Sequence, residues 1–510
     1  MSSELSGALL VALGGTATAL AALRWLRVAQ REHYLPGACL RFARRWWAAT
    51  RANTLVGGAG LAAAAASVRW PLASVATAVV TATGPPGLRL RGRTAKLAWT
   101  GRLRRLALLS ALVAGAVTGL AAVAGLHPAV VAAAACALGA PAIVDLALMV
   151  ARPLEARLLR PFLERARQRL VAVSPRVVAV TGSYGKTTTK GYIAHLLGGS
   201  FSVVASPASF NNAAGLARSV NEHLATGTQV FIAEMGTYGP GEIRDMCRWV
   251  VPEVSVITAL GPVHLERMGS IERIAQAKAE ILEPASVAVV NIDHPLLAAL
   301  AERAQQEAKS VWRCSSRPGA GTVSVSVEGT KLRVRAEGTD VLVPGCPGGV
   351  PGNMACALAV ALALGVPFGQ LLPRLESLPV APHRRSTERA SNGALIIDDT
   401  YNSNPAGARA ALGTLAEATG RRVVVTPGMV ELGPLQAQEN ERFAAEAAAV
   451  ATLLVVVGRT NAKALQAGAR AAGLPTRWVR DRAEAVAWVS ANLGPGDAVL
   501  YENDLPDHYP

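Results

Sequence analysis

Between Leu5 and Ala151 the chain runs through four or five apolar stretches: Leu5–Leu23, Asn53–Ser67, Trp70–Thr83, Leu106–Gly125 and Pro128–Ala151. No other feature of the 510 residues restricts the fold as strongly. A helix needs about 20 apolar residues to cross a hydrocarbon core about 30 Å thick. The first stretch and the last two approach that length and are expected to span. The second and third are short, rich in Ala and separated around Arg69, so a re-entrant pair is as compatible with them as two crossings.

Charge supports a membrane setting. Residues 1–105 carry 15 Lys and Arg against 2 Asp and Glu, which is +13 of the formal +16 of the whole chain. The arginines sit between apolar runs, as in cytoplasmic loops of membrane proteins, so membrane lipid is the expected partner and nucleic acid is not. Segments Arg24–Arg51, Arg89–Arg105 and Arg152–Arg169 then face the cytoplasm, with the N-terminus outside. Arg41-Phe42-Ala43-Arg44-Arg45-Trp46-Trp47 alternates aromatics with arginines, either as a helix in the headgroup layer or as an ordinary basic loop. Asp145 is acidic inside a span, a functional candidate by default, although its place near a helix end favours a side chain that reaches water. The six cysteines form no CxxC pair, which points to free buried thiols rather than to disulfides or zinc.

From Arg176 onward the pattern is that of an α/β protein. A short strand, Val177–Val180, enters Thr181-Gly182-Ser183-Tyr184-Gly185-Lys186-Thr187-Thr188, and a helix follows through Leu197. Glycines there let backbone amides converge on phosphates at a helix N-terminus. Lys186 adds a point charge and the Thr187 hydroxyl suits Mg²⁺. Val323–Val327 and Lys331–Arg335 read as a hairpin about Gly329, and Leu395–Asp398, Val423–Thr426, Leu453–Val457 and Ala498–Leu500 as strands of a parallel sheet.

The order of further motifs resembles the Mur ligase family, nearest to its MurF-type branch. These are Ser209–Gly215, Ala233-Glu234-Met235-Gly236, His264–Ser270, Ala277–Ile281, Ile397–Pro405 and Met429–Gly433. The likeness covers about residues 175–505. The likeness implies a P-loop central ATPase domain and a C-terminal Rossmann-like domain with a parallel sheet, and the apolar stretches before it add an N-terminal membrane helical bundle, so the expected fold class is a membrane α-helical bundle followed by α/β. The expected boundaries are residues 1–151 for a transmembrane anchor of about five spans, 152–175 for a linker helix, 176–378 for the central domain and 379–510 for the C-terminal domain. The implied activity is an ATP-dependent, ADP-forming acid–amino-acid ligase that acts through an acyl phosphate on a carboxylate and an amine, linked to peptidoglycan and the cell wall.

By resemblance the catalytic residues are Lys186, Glu234, His264, Lys278 and Asn212. Mg²⁺ would sit in two sites, one on Thr187 and Glu234, the other on His264 and Lys278, the lysine being carbamylated. Residues Thr181 to Thr188, with Arg384, Asp399, Tyr401, Asn402 and Asn404, are implied to contact ATP or to line the domain interface. The family's G-x-H-N turn is here Gly352-Asn353-Met354, and its Gly-Asp-Met turn is Pro427-Gly428-Met429, so the amine cannot be carried over. Soluble members begin with a uridine diphosphate-binding domain, for which the helices leave no space. Two alternatives follow: ligation onto a lipid-linked carboxylate outside peptidoglycan synthesis, and a non-catalytic ATP-dependent scaffold or switch. The expected localisation is the cell membrane, multi-pass, with cytoplasmic catalytic domains and other cell-envelope enzymes as partners.

Overall fold

The computed structural model describes every residue except 1–2, 93–96, 208–209, 346–348, 380–385 and 402. Its contacts divide the chain in two. The helical unit is Met1–Leu158 with Gly458–Thr460 and Leu505–Pro510, and the second unit is Leu159–Val457 with Asn461–Asp504.

Among the described residues of the first 158, seven α-helices begin: α1 Ser3–Arg31, α2 Ala38–Trp47, α3 Arg51–Ala66, α4 Ser74–Thr83, α5 Gly101–Val123, α6 Leu126–Leu138 and α7 Ala140–Val173. Glu4–Arg31 and Gly101–Val123 are long and apolar enough to cross a membrane. The stretch Pro128–Ala151 is not one straight span, because α6 and α7 meet at an angle of 78°. Gly139 at the break lacks a Cβ, and Pro141 suits only the first turn of a new helix. Among the described residues two helices are thus long and apolar enough to cross a membrane, or three if the bent pair counts as one. Helices α3 and α4 pack on each other as a short hairpin in which a Cβ at Gly60 would lie 2.8 Å from Val80 Cγ1.

Residues 41–47 are helical, and α2 buries Phe42 and Trp46 in the core of this unit. Asp145 does not reach water. It is 4% exposed and accepts hydrogen bonds from the backbone N–H groups of Cys39 (3.2 Å) and Leu40 (2.9 Å), which α2 cannot use internally. The cysteines described are free and buried, as expected, while Cys346 lies outside the described residues.

The second unit holds two sheets. Strands β1 Arg176–Thr181, β2 Val203–Ala205, β3 Val230–Glu234, β4 Val254–Ile257, β5 Val287–Asn291, β6 Ser310–Ser315, β7 Val323–Glu328, β8 Lys331–Ala336 and β9 Thr339–Pro344 pair in the order β2-β3-β1-β4-β5-β6-β7-β8-β9. Pairing is parallel as far as β7, and β7–β9 form an antiparallel meander that begins with the expected hairpin. Val-rich strands of this kind need cover on both faces. Helices Lys186–Leu197 and Pro351–Ala363 cover one face, and the end of α7 packs through Ala166 and Leu170 on the other.

The second sheet contains β10 Ser386–Arg389, β11 Leu395–Asp399, β12 Arg422–Thr426, β13 Leu453–Val457, β14 Thr476–Val479 and β15 Ala498–Glu502, in the order β10-β11-β15-β12-β13-β14. Only β10 is antiparallel. The C-terminal ends of the parallel strands, where open α/β sheets bind ligands, carry the residues considered next.

Candidate active site

The loop between β1 and the helix Lys186–Leu197 is held tightly. Gly185 has φ +76°, which disfavours any side chain, and a Cβ there would lie 2.4 Å from Asn353 Oδ1. Thr258 Oγ1 donates toward the carbonyls of Thr181 and Tyr184, and Ser183 Oγ donates to Gly261 O at 3.1 Å. Thr181 donates to Met235 O at 2.8 Å, and Thr188 is nearly buried. The Tyr184 ring lies against Gly261, where burial raises the phenol pKa and leaves its hydroxyl without a partner. Lys186 Nζ donates to Gly182 O at 2.8 Å, so its ammonium stays folded over the loop.

Glu234 ends β3 and is 1% exposed. Its Oε2 accepts from Thr187 Oγ1 at 2.9 Å and lies 3.0 Å from Lys190 Nζ, and its Oε1 accepts from Asn211 Nδ2 at 3.2 Å. Lys190 and Asn211 were not among the sequence candidates. Lys190 lies three residues after Thr187 on one helix, so helical spacing could have found it. Asn212 is exposed, and its Oδ1 caps the helix Ala213–His223 by accepting from Gly215 N at 2.9 Å.

A second group lies about Lys278, which is 2% exposed on the helix Ile271–Ala279. Burial, and then the charge of Lys186, hold its ammonium well below the ordinary lysine range. His264 shares that field. Burial, Lys278 and Lys186 lower its pKa against the opposing pull of Glu431, which favours the neutral imidazole. His264 Nδ1 lies 2.6 Å from Glu431 Oε2, and Arg267 donates to Glu431 Oε1 at 2.8 Å. Burial pushes the Glu431 carboxyl up, but His264 and Arg267 outweigh it and hold it at about 2. An ionised Glu431 beside a neutral imidazole fixes the proton on Nδ1 and leaves Nε2 with its lone pair. The Met429–Gly433 motif contained Glu431, yet nothing in it named a partner 167 residues away.

In the C-terminal sheet, Asp399 ends β11, Tyr401 is 42% exposed, and Asn404 caps the helix Pro405–Ala416 through Gly407 N at 2.9 Å. Arg384 and Asn402 lie outside the described residues. Glu502, at the end of β15, was not foreseen. It is fully buried, takes hydrogen bonds from Ser403 and Thr426, and burial raises its carboxyl pKa to about 8. The Pro427-Gly428-Met429 turn is held by Asn440, Asn461 and Asn503, through Asn440 Oδ1 to Met429 N (2.8 Å), Asn461 Nδ2 to Pro427 O (2.9 Å) and Asn503 Nδ2 to Gly428 O (2.7 Å).

Comparison with known proteins places this arrangement. The model of the Mur ligase middle domain matches residues 180–361, and that of the Mur ligase, glutamate ligase domain matches residues 383–501. The chain belongs to the Mur ligase family and is thus an ATP-dependent, ADP-forming amide ligase.

Within that family its similar relatives include MurF enzymes. The UDP-N-acetylmuramoyl-tripeptide--D-alanyl-D-alanine ligase of Mycobacterium leprae is 32% identical over 370 residues, 65% of this chain and 71% of that protein. The Synechocystis enzyme of the same name is 30% identical over 340 residues, 64% of this chain and 71% of its own. Among solved structures, MurF from Acinetobacter baumannii matches with a TM-score of 0.59 and 26% identity, over 67% of this chain and 77% of that one. MurF from Thermotoga maritima in complex with ADP gives 0.58 and 26%, over 68% and 80%.

Proposed function

We propose that the protein joins a carboxylate to an amine in a MurF-like step of peptidoglycan assembly, working at the membrane. The observation that carries this reading is the 2.9 Å contact of Thr187 with buried Glu234 beside Lys186 at the loop 182–187, with His264 held by Glu431 and Lys278 buried in the same α/β unit.

The residues fit divalent metal. Thr187 and Glu234 are hard oxygen donors, as Mg²⁺ prefers. A neutral His264 turned by Glu431 offers Nε2 to a second ion. Lys278 forms no ion pair among the described residues, and an ammonium there would repel a metal. Its carbamate, from reaction of the neutral amine with CO₂, would supply an anionic oxygen instead. When bound, Mg²⁺ offsets the charge of the phosphates and of the developing oxyanion.

The chain's own groups divide the rest of the work. The loop 182–185 and Lys186 orient the ATP phosphates, so that the substrate carboxylate attacks the γ-phosphorus and ADP leaves. Attack of the amine on the resulting acyl phosphate then releases phosphate and forms the amide. Asn212, Asp399, Tyr401, Asn402, Asn404 and Arg384 are assigned to the nucleotide and acyl-phosphate surroundings by family likeness. A scaffold that used ATP only as a switch would need neither His264 nor a buried Lys278.

Topology follows from charge. With α1 and α5 crossing and the bent α6–α7 pair returning, the N-terminus lies outside and residues 159–504 lie in the cytoplasm. The domain limits 1–151, 152–175, 176–378 and 379–510 are retained as working boundaries. A second reading, in which the acyl group is lipid-linked, is favoured by the membrane-crossing helices. The test uses detergent-purified protein with ATP, Mg²⁺ and D-alanyl-D-alanine, offered either the UDP-N-acetylmuramoyl-tripeptide or its lipid-linked counterpart. Amine-dependent phosphate release with one acceptor selects the reading, and release with neither rejects both.

A further inference from the structure

Residues Leu505–Pro510 belong to the helical unit, where they are built in by polar contacts. Both carboxylate oxygens of Asp507 lie 3.0 Å from Nη1 of Arg27, a side chain of α1 that is 1% exposed. His508 Nε2 lies 3.0 Å from Glu32 Oε1, Trp46 Nε1 donates to His508 O at 2.8 Å, and the Phe42 ring meets His508 at a tilt and Tyr509 edge-on, with centroids 4.8 and 4.9 Å apart.

The fit is incomplete at one place. Nε and Nη2 of Arg27 are buried and have no hydrogen-bond partner. A guanidinium presents five N–H donors, and the carboxylate serves Nη1 alone. Donors left unserved away from water are costly, and native structures rarely tolerate them. Arg24, one turn earlier, spends its donors on the carbonyls of Leu20, Ala82 and Leu88. Arg31, one turn later, is half-exposed and lies in the field of the same Asp507.

We infer that Arg27 is the centre of an anion site in the helical unit, shaped for a phosphate group, in which Asp507 is an internal competitor. A phosphate has more acceptor oxygens than a carboxylate and spreads them tetrahedrally, so it can serve Nη2 and Nε as well as Nη1. Arg27 lies near the cytoplasmic end of α1, and basic pockets at that level between membrane helices take lipid headgroups. Entry of the ligand displaces Asp507 and frees Leu505–Pro510 from the helices. The inference needs neither ATP nor ligation, and it stands or falls separately from the proposed activity.

The full chain in detergent, without ATP, is titrated by calorimetry with inorganic phosphate and with short-chain phosphatidic acid. The readout is the change caused by Asp507→Asn, because phosphate bound at the loop 182–187 does not depend on that residue. Asp507→Asn should tighten binding of at least one probe tenfold or more, and Arg27→Gln in the same background should remove the gain. A gain with both probes identifies free phosphate as sufficient, and a gain with phosphatidic acid alone identifies a lipid headgroup. No gain with either probe overturns the site and leaves Arg27–Asp507 as a structural ion pair. Since Arg27→Gln alone can fail to fold, Asp507→Asn is the deciding variant.

Discussion

His264 and Glu431 are joined by a 2.6 Å contact between Nδ1 and Oε2 although 167 residues separate them, and both hold φ of +64°. Non-glycine residues stay in that region only where their surroundings hold them there. Glu431→Ala should therefore release the imidazole and weaken Mg²⁺-dependent ADP formation about 10- to 100-fold, the usual cost of losing such a partner. The check is a Mg²⁺ titration of the rate. An unchanged Mg²⁺ requirement would sink the assignment of His264.

Lys278→Ala should abolish ligation and spare nucleotide binding, and a short carboxylic acid should restore part of the rate by occupying the vacated position. ADP binding by calorimetry and phosphate release with and without added acetate measure both halves. Ligation at the parent rate would remove the second metal from the mechanism.

Lys190 and Glu234 form a nearly dry ion pair, with side chains 7% and 1% exposed. Removing one member of such a pair strands the other, at a cost of about 3–5 kcal/mol. Lys190→Met should lower the unfolding midpoint strongly in metal-free buffer. The loss should shrink when Mg²⁺ and ATP are added, if Thr187 and Glu234 hold metal.

Glu502 sets a pH dependence of the opposite sense to most carboxylates. Its folded pKa of about 8 lies above the ordinary 4.5, so its contribution to stability is complete below about pH 4.5 and is lost as pH rises through 8. Glu502→Gln should flatten the melting temperature over that window and raise it at pH 8.5 relative to the parent. Melting curves at pH 5, 7 and 8.5 decide it.

A tag before Ser2 should be reached by a membrane-impermeant reagent in intact cells, and a reporter after Pro510 should not. A reporter labelled from outside would reverse the topology.

The legibility of the chain followed the range of its interactions. The β7–β8 hairpin and the strands β11, β12, β13 and β15 could be read because their signals are local. Strand β14 escaped, since Thr476–Val479 is four residues long and three of them are exposed. The bend between α6 and α7 was written in Gly139 and Pro141, but the surrounding apolarity masked it. The site divided in the same way. The loop 181–188 and Glu234 stood in recognisable order, whereas the partners of Glu234, Asn211 and Lys190, emerged only from packing, as did Glu431. Asn211 reaches Glu234 while Asn212 caps a helix, a division of neighbours that only packing shows.

The carboxylate of Asp145 receives the first amides of α2 from 105 and 106 residues away in the chain. During synthesis those amides cannot reach this carboxylate until α7 has left the ribosome, so the packing of α2 stays unfinished until then. The capping of α2 is thus timed by α7, and a nascent chain arrested before Asp145 should remain a substrate for quality-control proteases.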